Sequence, residues 1–172
     1  MLPHADVSER DARACGKVAG TLIGEAIMLL ARGIAPNPVA FERKEGPTGP
    51  FTLINNVDEP VDAAAYFTEW FASVQGWDPG IVDVDVEGGQ IIVEIPDQRG
   101  EGGAAVTLLM RFRVVDGRLK TTNFLSRCKT DVRSFANDVV EGIGIGIREH
   151  PDSDSILQAF CADGDYYEGE PG

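Results

Sequence analysis

The chain has little of what metal and nucleophile chemistry requires. Of its 172 residues only two are histidine, His4 and His150, which is too few for a histidine-built zinc or iron site. No histidine sits centrally enough to serve a Ser-His-Asp relay unless His150 folds back into a cleft. The three cysteines, Cys15, Cys128 and Cys161, are odd in number, far apart and without a CxxC pair. That pattern excludes a disulfide framework and predicts idle thiols in a reducing compartment. There is no GxxxxGK[ST] phosphate loop and no GxSxG elbow, so neither nucleotide cradle nor serine-hydrolase turn is encoded. The run Gly142-x-Gly144-x-Gly146 is not a dinucleotide fingerprint, because the third glycine would have to stand where Ile147 does. No cofactor and no metal is expected, and the balance is against an enzyme.

Cations are scarce too. Lys and Arg total 15 against 28 for Asp and Glu, a formal charge of −13. Affinity for nucleic acid comes mainly from cations neutralising phosphates, so direct binding of DNA or RNA is not expected. No signal peptide opens the chain, and the expected location is the cytoplasm.

What remains is a chain built to pack. Apolar residues make up 43% of it, enough at this length to bury a core without staples. The predicted fold class is α+β: a long N-terminal helix and an aromatic helix on a curved antiparallel sheet of two β-hairpins, with a C-terminal helical extension. Residues 1–127 form the expected core domain and 128–172 the extension, ending in an acidic tail.

Ser8 and Asp11 predict a capped helix from Glu9 to Arg32, stopped by Gly33. Cys15, Val18, Ala19, Leu22, Ala26, Leu29 and Leu30 mark its buried stripe. The apolar segment 18–30, interrupted by Glu25, is too short to span a bilayer, and no membrane partner is expected. Gly16, Gly20 and Gly24 share one helix face. Each glycine costs a helix up to about 1 kcal/mol relative to alanine, so close contact is implied. Two readings are open, packing inside the chain or an interface with a second copy.

A Pro- and Gly-rich stretch follows, with short extended pieces at 39–43 and 51–55. Glu59-Pro60 opens a second helix whose Phe67, Trp70, Phe71 and Val74 form an aromatic face, ended by Gly76. Next come two hairpins. Strands 81–87 and 90–95 turn at Gly88-Gly89, and strands 106–115 and 118–125 at Asp116-Gly117. Opposed residue numbers should sum to 177 and 233. The core faces then carry Val82, Val84, Val86, Ile91, Val93 and Ile95, and Leu108, Met110, Phe112, Val114, Leu119 and Leu125. On the other face Asp83 falls opposite Glu94, and Arg113 opposite Lys120. Such like-charge pairs are tolerable if the hairpins are neighbours in a four-stranded meander, where Glu94 meets Arg111 or Arg113. Thr130 or Asp131 caps a third helix carrying Phe135, Ala136 and Val139. Three glycines make a helix expensive, so residues 142–147 are expected as a strand or irregular segment. A last short helix begins near Ser153.

Two motifs tempt and fail. Asp83-x-Asp85-x-Glu87-Gly88 with Glu94 at the twelfth place resembles a calcium loop, but Glu87 and Gln90 are the wrong types and no helices flank it. Gly88-Gly89-Gln90 matches a release-factor tripeptide, which hairpin chemistry already explains.

The order of elements, carried by residues 64–76, 81–95 and 106–125 with the turn Val115-Asp116-Gly117-Arg118-Leu119, resembles the nuclear-transport-factor-2-like superfamily, including the SnoaL-like proteins. The resemblance implies a cone-shaped apolar pocket. Asn123, with Thr121 beside it, and Tyr66 and Trp70 on the aromatic helix would orient a small apolar ligand there. No acid falls on the inward strand faces, which speaks against isomerase chemistry. Three functions follow: a non-enzymatic interaction or assembly protein with a protein partner or as a homo-oligomer, a pocket protein for a small apolar ligand, or an acidic inhibitor imitating nucleic acid.

Overall fold

The computed structural model describes residues 11–55, 76–96, 104–115, 118–122, 125–128 and 133–160. The aromatic helix expected from Pro60 lies outside them. Within them helix α1 (Ala12–Ala31) is followed by strands β1 (Val39–Arg43), β2 (Phe51–Asn55), β3 (Trp77–Asp85), β4 (Gln90–Pro96), β5 (Ala104–Val115), β6 (Arg118–Thr121) and β7 (Leu125–Cys128). Helices α2 (Arg133–Glu149) and α3 (Ser153–Leu157) complete the order. The class is α+β. The strands form one antiparallel sheet in the order β2-β1-β3-β4-β5-β6, with β7 also pairing β5.

Helix α1 starts later than the Ser8 signal implied. Asp11 is its N-cap, its carboxylate accepting the Ala14 N–H at 3.1 Å, which satisfies one orphan donor of the first turn. The helix ends as Gly33 predicts. Gly33 adopts a φ of +74°, and its N–H bonds to the Leu30 carbonyl while the Ile34 N–H reaches back to Leu29. This is a Schellman closure, which needs a residue at ease in the left-handed region and sets Ile34 beside Leu29. The whole helix, at 20 residues, is long and apolar enough to cross a membrane by length and composition, unlike segment 18–30 taken alone. Half of that stretch is buried within the protein.

The three glycines of α1 face the chain's own C-terminal helices, as the first of the two open readings has it. A side chain at Gly16 would collide with the Val139 carbonyl and the Gly142 backbone, and one at Gly20 with the Ile143 carbonyl. Gly142 and Gly146 answer from the other side against Arg13 and Lys17. Contacts advance together along both chains, so α1 and α2 run parallel, backbone on backbone. That explains why residues 142–147 are helical rather than extended. Two of their three glycines lose propensity but let the helices close, burying Ile143 and Ile147 against the stripe of α1. Exposed pairs, Arg13 with Glu141 and Lys17 with Glu149, edge the seam and add little.

The sheet keeps its predicted faces but not all of its registers. In the second hairpin Val114 faces Leu119 and Arg113 faces Lys120, the sum of 233. In the first, Val82 faces Val93 and Asp85 faces Gln90, so opposed numbers sum to 175. The turn is therefore the four residues Val86 to Gly89. Asp85 holds it by accepting the Gly88 N–H at 2.9 Å, and Gly89 supplies a φ of +64°. Asp85 is thus committed to its own turn. The two-residue shift leaves each face unchanged, but it sets Asp83 opposite Ile92 and Glu94 opposite Ile81. The meander forms, yet Glu94 meets Thr107 across β4–β5 instead of an arginine.

Strand 118–125 is broken. Beyond Thr121 the register with β5 slips by one, and Leu125 pairs with Leu109 rather than Leu108. Thr122 fills the irregularity, its hydroxyl accepting the Arg111 N–H and its own N–H reaching the Arg111 carbonyl. Of the expected core set, Leu108, Met110, Phe112 and Leu119 are buried, whereas Val114 and Val86 are exposed. The buried cluster unites α1, the sheet and both C-terminal helices through Ile23, Ile27, Phe41, Val93, Val139 and Ile156.

Candidate functional site

At the C-terminal end of α1 the cluster stops being covered. The Schellman turn carries Leu29 and Ile34 out over the sheet, and Ala35-Pro36-Asn37 leads the chain back into β1. Between them lies a groove of about 360 Å³ walled by Leu22, Leu29, Ile34, Leu53, Val82 and Val84. Ile34 is 49% exposed and Leu53, on β2, is 53% exposed. The polar side chains of the lining are Glu25 and Asn37.

Glu25 is held in place from outside the groove. His150, at the end of α2, lies with its side chain 2% exposed and its Nε2 2.6 Å from Glu25 Oε1. The ring reaches α1 because Gly24 has no side chain; a Cβ there would fall 3.1 Å from His150 Cδ2. The Asp152 N–H donates to His150 Nδ1 at 2.9 Å. Nδ1 must then be the acceptor, so the proton resides on Nε2 and is donated to Glu25. His150 does fold back, but this pair is not a catalytic relay. One nitrogen is spent on a backbone amide and the other already carries the proton that Glu25 accepts, so no lone pair is left to take a proton from a nucleophile.

The opposite end of α1 holds a second charged cluster, and its geometry is closed. Arg43, 8% exposed, ion-pairs through Nε with Asp78 Oδ2 and through Nη2 with Asp11 Oδ2, both at 3.3 Å. Its Nη1 donates to the Pro47 carbonyl at 2.6 Å, and its guanidinium lies 4.4 Å over the Phe51 ring. Asp78, buried, sits at a φ of +53°. It accepts the Asp11 N–H through Oδ1 and the Cys15 thiol through its carbonyl. Cation and anions pair with one another beside the Phe51 ring, although Arg43 Nε makes no aligned hydrogen bond, and the cluster anchors the start of α1 to β1 and β3. Next to it Glu42 is buried, and burial raises its carboxyl above the ordinary range against the opposing pull of Lys44 and the Gly76 N–H.

The other sheet face carries Asp83 and Glu94 on a diagonal. Burial raises both carboxyls. The Val84 N–H works against this at Asp83, while Asp85 adds to it. At Glu94 the Asp83 charge adds to it.

Of the residues the sequence nominated for a ligand site, Tyr66, Trp70 and Asn123 lie outside the described residues. Thr121 is fully buried at the end of β6, its N–H bonded to the Ala159 carbonyl at 2.8 Å. It stands across β4 and β5 from the groove and does not line it. The groove itself escaped sequence reading. Its one available signal was apolar residues on both sides of the helix-stopping Gly33, the pattern of a Schellman closure. Comparison of the chain with family models, with curated proteins and with solved structures gave no match, so its chemistry has to be argued from these residues alone.

Proposed function

We propose that this is a non-enzymatic interaction protein whose groove receives an apolar segment of a partner protein. The observation that carries the reading is the pairing of Ile34 and Leu53, two half-exposed apolar side chains flanking a groove walled almost wholly by aliphatic residues. Large apolar groups brought together at a surface mark contact sites, whereas scattered ones do not. His150 offers no free proton acceptor and the Arg43 charges are paired within the chain, which supports a non-catalytic reading. The charge of −13 favours a basic partner through long-range attraction.

A second reading has one observation in its favour. The groove volume, about 360 Å³, falls within the range of roughly 300–1,000 Å³ usual for small-ligand sites, so a small apolar ligand fits there as well. Native mass spectrometry of the protein from its source at low salt, alongside Leu53→Glu, separates the two. A partner chain on the wild type that is missing from the variant is the expected result. A bare chain carrying a small added mass would replace it with the ligand reading. A partner retained by the variant would remove the groove from the function altogether.

A further inference from the structure

Among the described residues the groove carries one ionisable group, Glu25, and that group is positioned without being neutralised. Glu25 is 61% exposed while the His150 side chain that grips it is buried. Because His150 Nδ1 accepts the Asp152 N–H, the ring is a neutral donor. It fixes one carboxylate oxygen by a hydrogen bond and leaves the negative charge uncancelled. Glu25 lines the groove with Leu22, Ala26 and Leu29 of the same helix. A carboxylate already immobilised spends less side-chain entropy on forming an ion pair than a free surface glutamate does.

Resting on the groove reading above, we propose that Glu25 is the anchor for a lysine or arginine in the partner segment. The recognised motif is then apolar residues filling the groove, followed by one cation at its α1 lip. The remaining lining is aliphatic apart from Asn37, so the position of this single charge sets the polarity of the bound segment. His150 acts as a positioning residue: it touches Glu25 and not the partner. Gly24 is the opening through which it does so.

The test uses two acetylated, amidated hexapeptides, Leu-Ile-Leu-Lys-Ser-Ser and the same peptide with Gln in place of Lys. They are titrated into the ¹⁵N-labelled full chain while the amide signals of Glu25, Ile34 and Leu53 are followed. At low salt the lysine peptide should bind about three- to fivefold tighter, an advantage that shrinks as salt screens the pair. Glu25→Gln keeps an oxygen to accept from His150 and so should fold unchanged, which its melting temperature checks, while the advantage disappears. If both peptides bind the wild type equally, or the advantage survives in Glu25→Gln, the anchor is refuted and the groove stands. If neither peptide moves the groove signals, the groove reading falls and takes the anchor with it.

Discussion

The two ends of α1 solve opposite problems. Its first turn is tied down by charge: buried Arg43 and Asp78 meet the half-exposed Asp11 over a short distance, with the Phe51 ring against the guanidinium. Toward its other end the side-chain tie among the described residues is the Glu25–His150 hydrogen bond, and Leu29, Ile34 and Leu53 line a groove. Between the ends the glycine seam holds the helix against α2. A polar cluster whose charges pair with one another leaves little net charge to draw a ligand. An apolar groove with exposed walls has unused capacity, because its burial is incomplete. The difference identifies which end is structural and which is the place where another molecule can contribute.

Breaking the closed end should cost the most. Arg43→Ala breaks the ion pair with buried Asp78, and removing one partner of a buried pair typically costs about 3–5 kcal/mol. Chemical denaturation of the variant should show that loss. A loss below about 1 kcal/mol would mean the cluster is solvated and the contrast between the ends is false. The seam comes next. Gly20→Ala drives a methyl into the Ile143 backbone, where neither helix can move aside cheaply, and overpacking of this kind costs about 1–3 kcal/mol. Gly20→Leu should not fold. A folded monomer from that variant would return these glycines to an interface between copies. Leu53→Glu should do the reverse of both, leaving stability within about 0.5 kcal/mol while weakening partner binding about tenfold or more.

How much of this was legible depended on whether a residue's role was local. Gly33 ends α1 through neighbouring N–H and C=O groups, so the helix and its stop could be read from residue types alone. The start of α1, by contrast, was placed too early at Ser8, because the cap is the Asp11 carboxylate. Strands 39–43 and 51–55 were legible as short extended pieces within a Pro- and Gly-rich stretch. The Asp116-Gly117 hairpin kept its register as far as Thr121 and lost it where Thr122 bonds Arg111 through both hydroxyl and amide. The Gly88-Gly89 hairpin did not keep its expected register, because Asp85 captures the Gly88 N–H, a side-chain bond that lengthens the turn without altering which face is apolar. Residues 142–147 were misread because the compensation for their glycines lies on α1, more than a hundred residues away in the chain. The groove was invisible for the same reason. Its walls come from α1, the turn after it, β2 and β3, and no one of them is unusual in sequence.

A pH test probes the contrast on the opposite sheet face, where charge is buried without a cation among the pairs described. Burial and Asp83 hold the Glu94 carboxyl above its ordinary range, so the folded state binds that proton more tightly than the unfolded one. The stability this lends is complete below the unfolded carboxyl range, about 4, and is lost as pH rises through the folded value. Glu94→Gln abolishes the titration. It should therefore be more stable than the wild type at neutral pH, with the gap closing on acidification toward pH 4. A gap that widens on acidification would mean that Glu94 is ion-paired after all.

The smallest effect expected is a stabilising one, and it bears on why glycine occurs where it does. Gly144 lies on the same helix as Gly142 and Gly146, yet a Cβ at Gly144 meets only the flexible end of Arg148, at 3.4 Å, while at the other two it strikes the α1 backbone. All three pay the same propensity cost and only two gain a contact from it. Gly144→Ala should thus raise stability by about 0.5–1 kcal/mol, the helix-interior difference between the two residues. Gly142→Ala, one turn's partial rotation away, should lower it by about 1–3 kcal/mol. Opposite signs in urea denaturation would establish that the seam is a contact specific to one helix face. If Gly144→Ala is also destabilising, that outer face is covered as well, and the seam is not the whole reason α2 is rich in glycine.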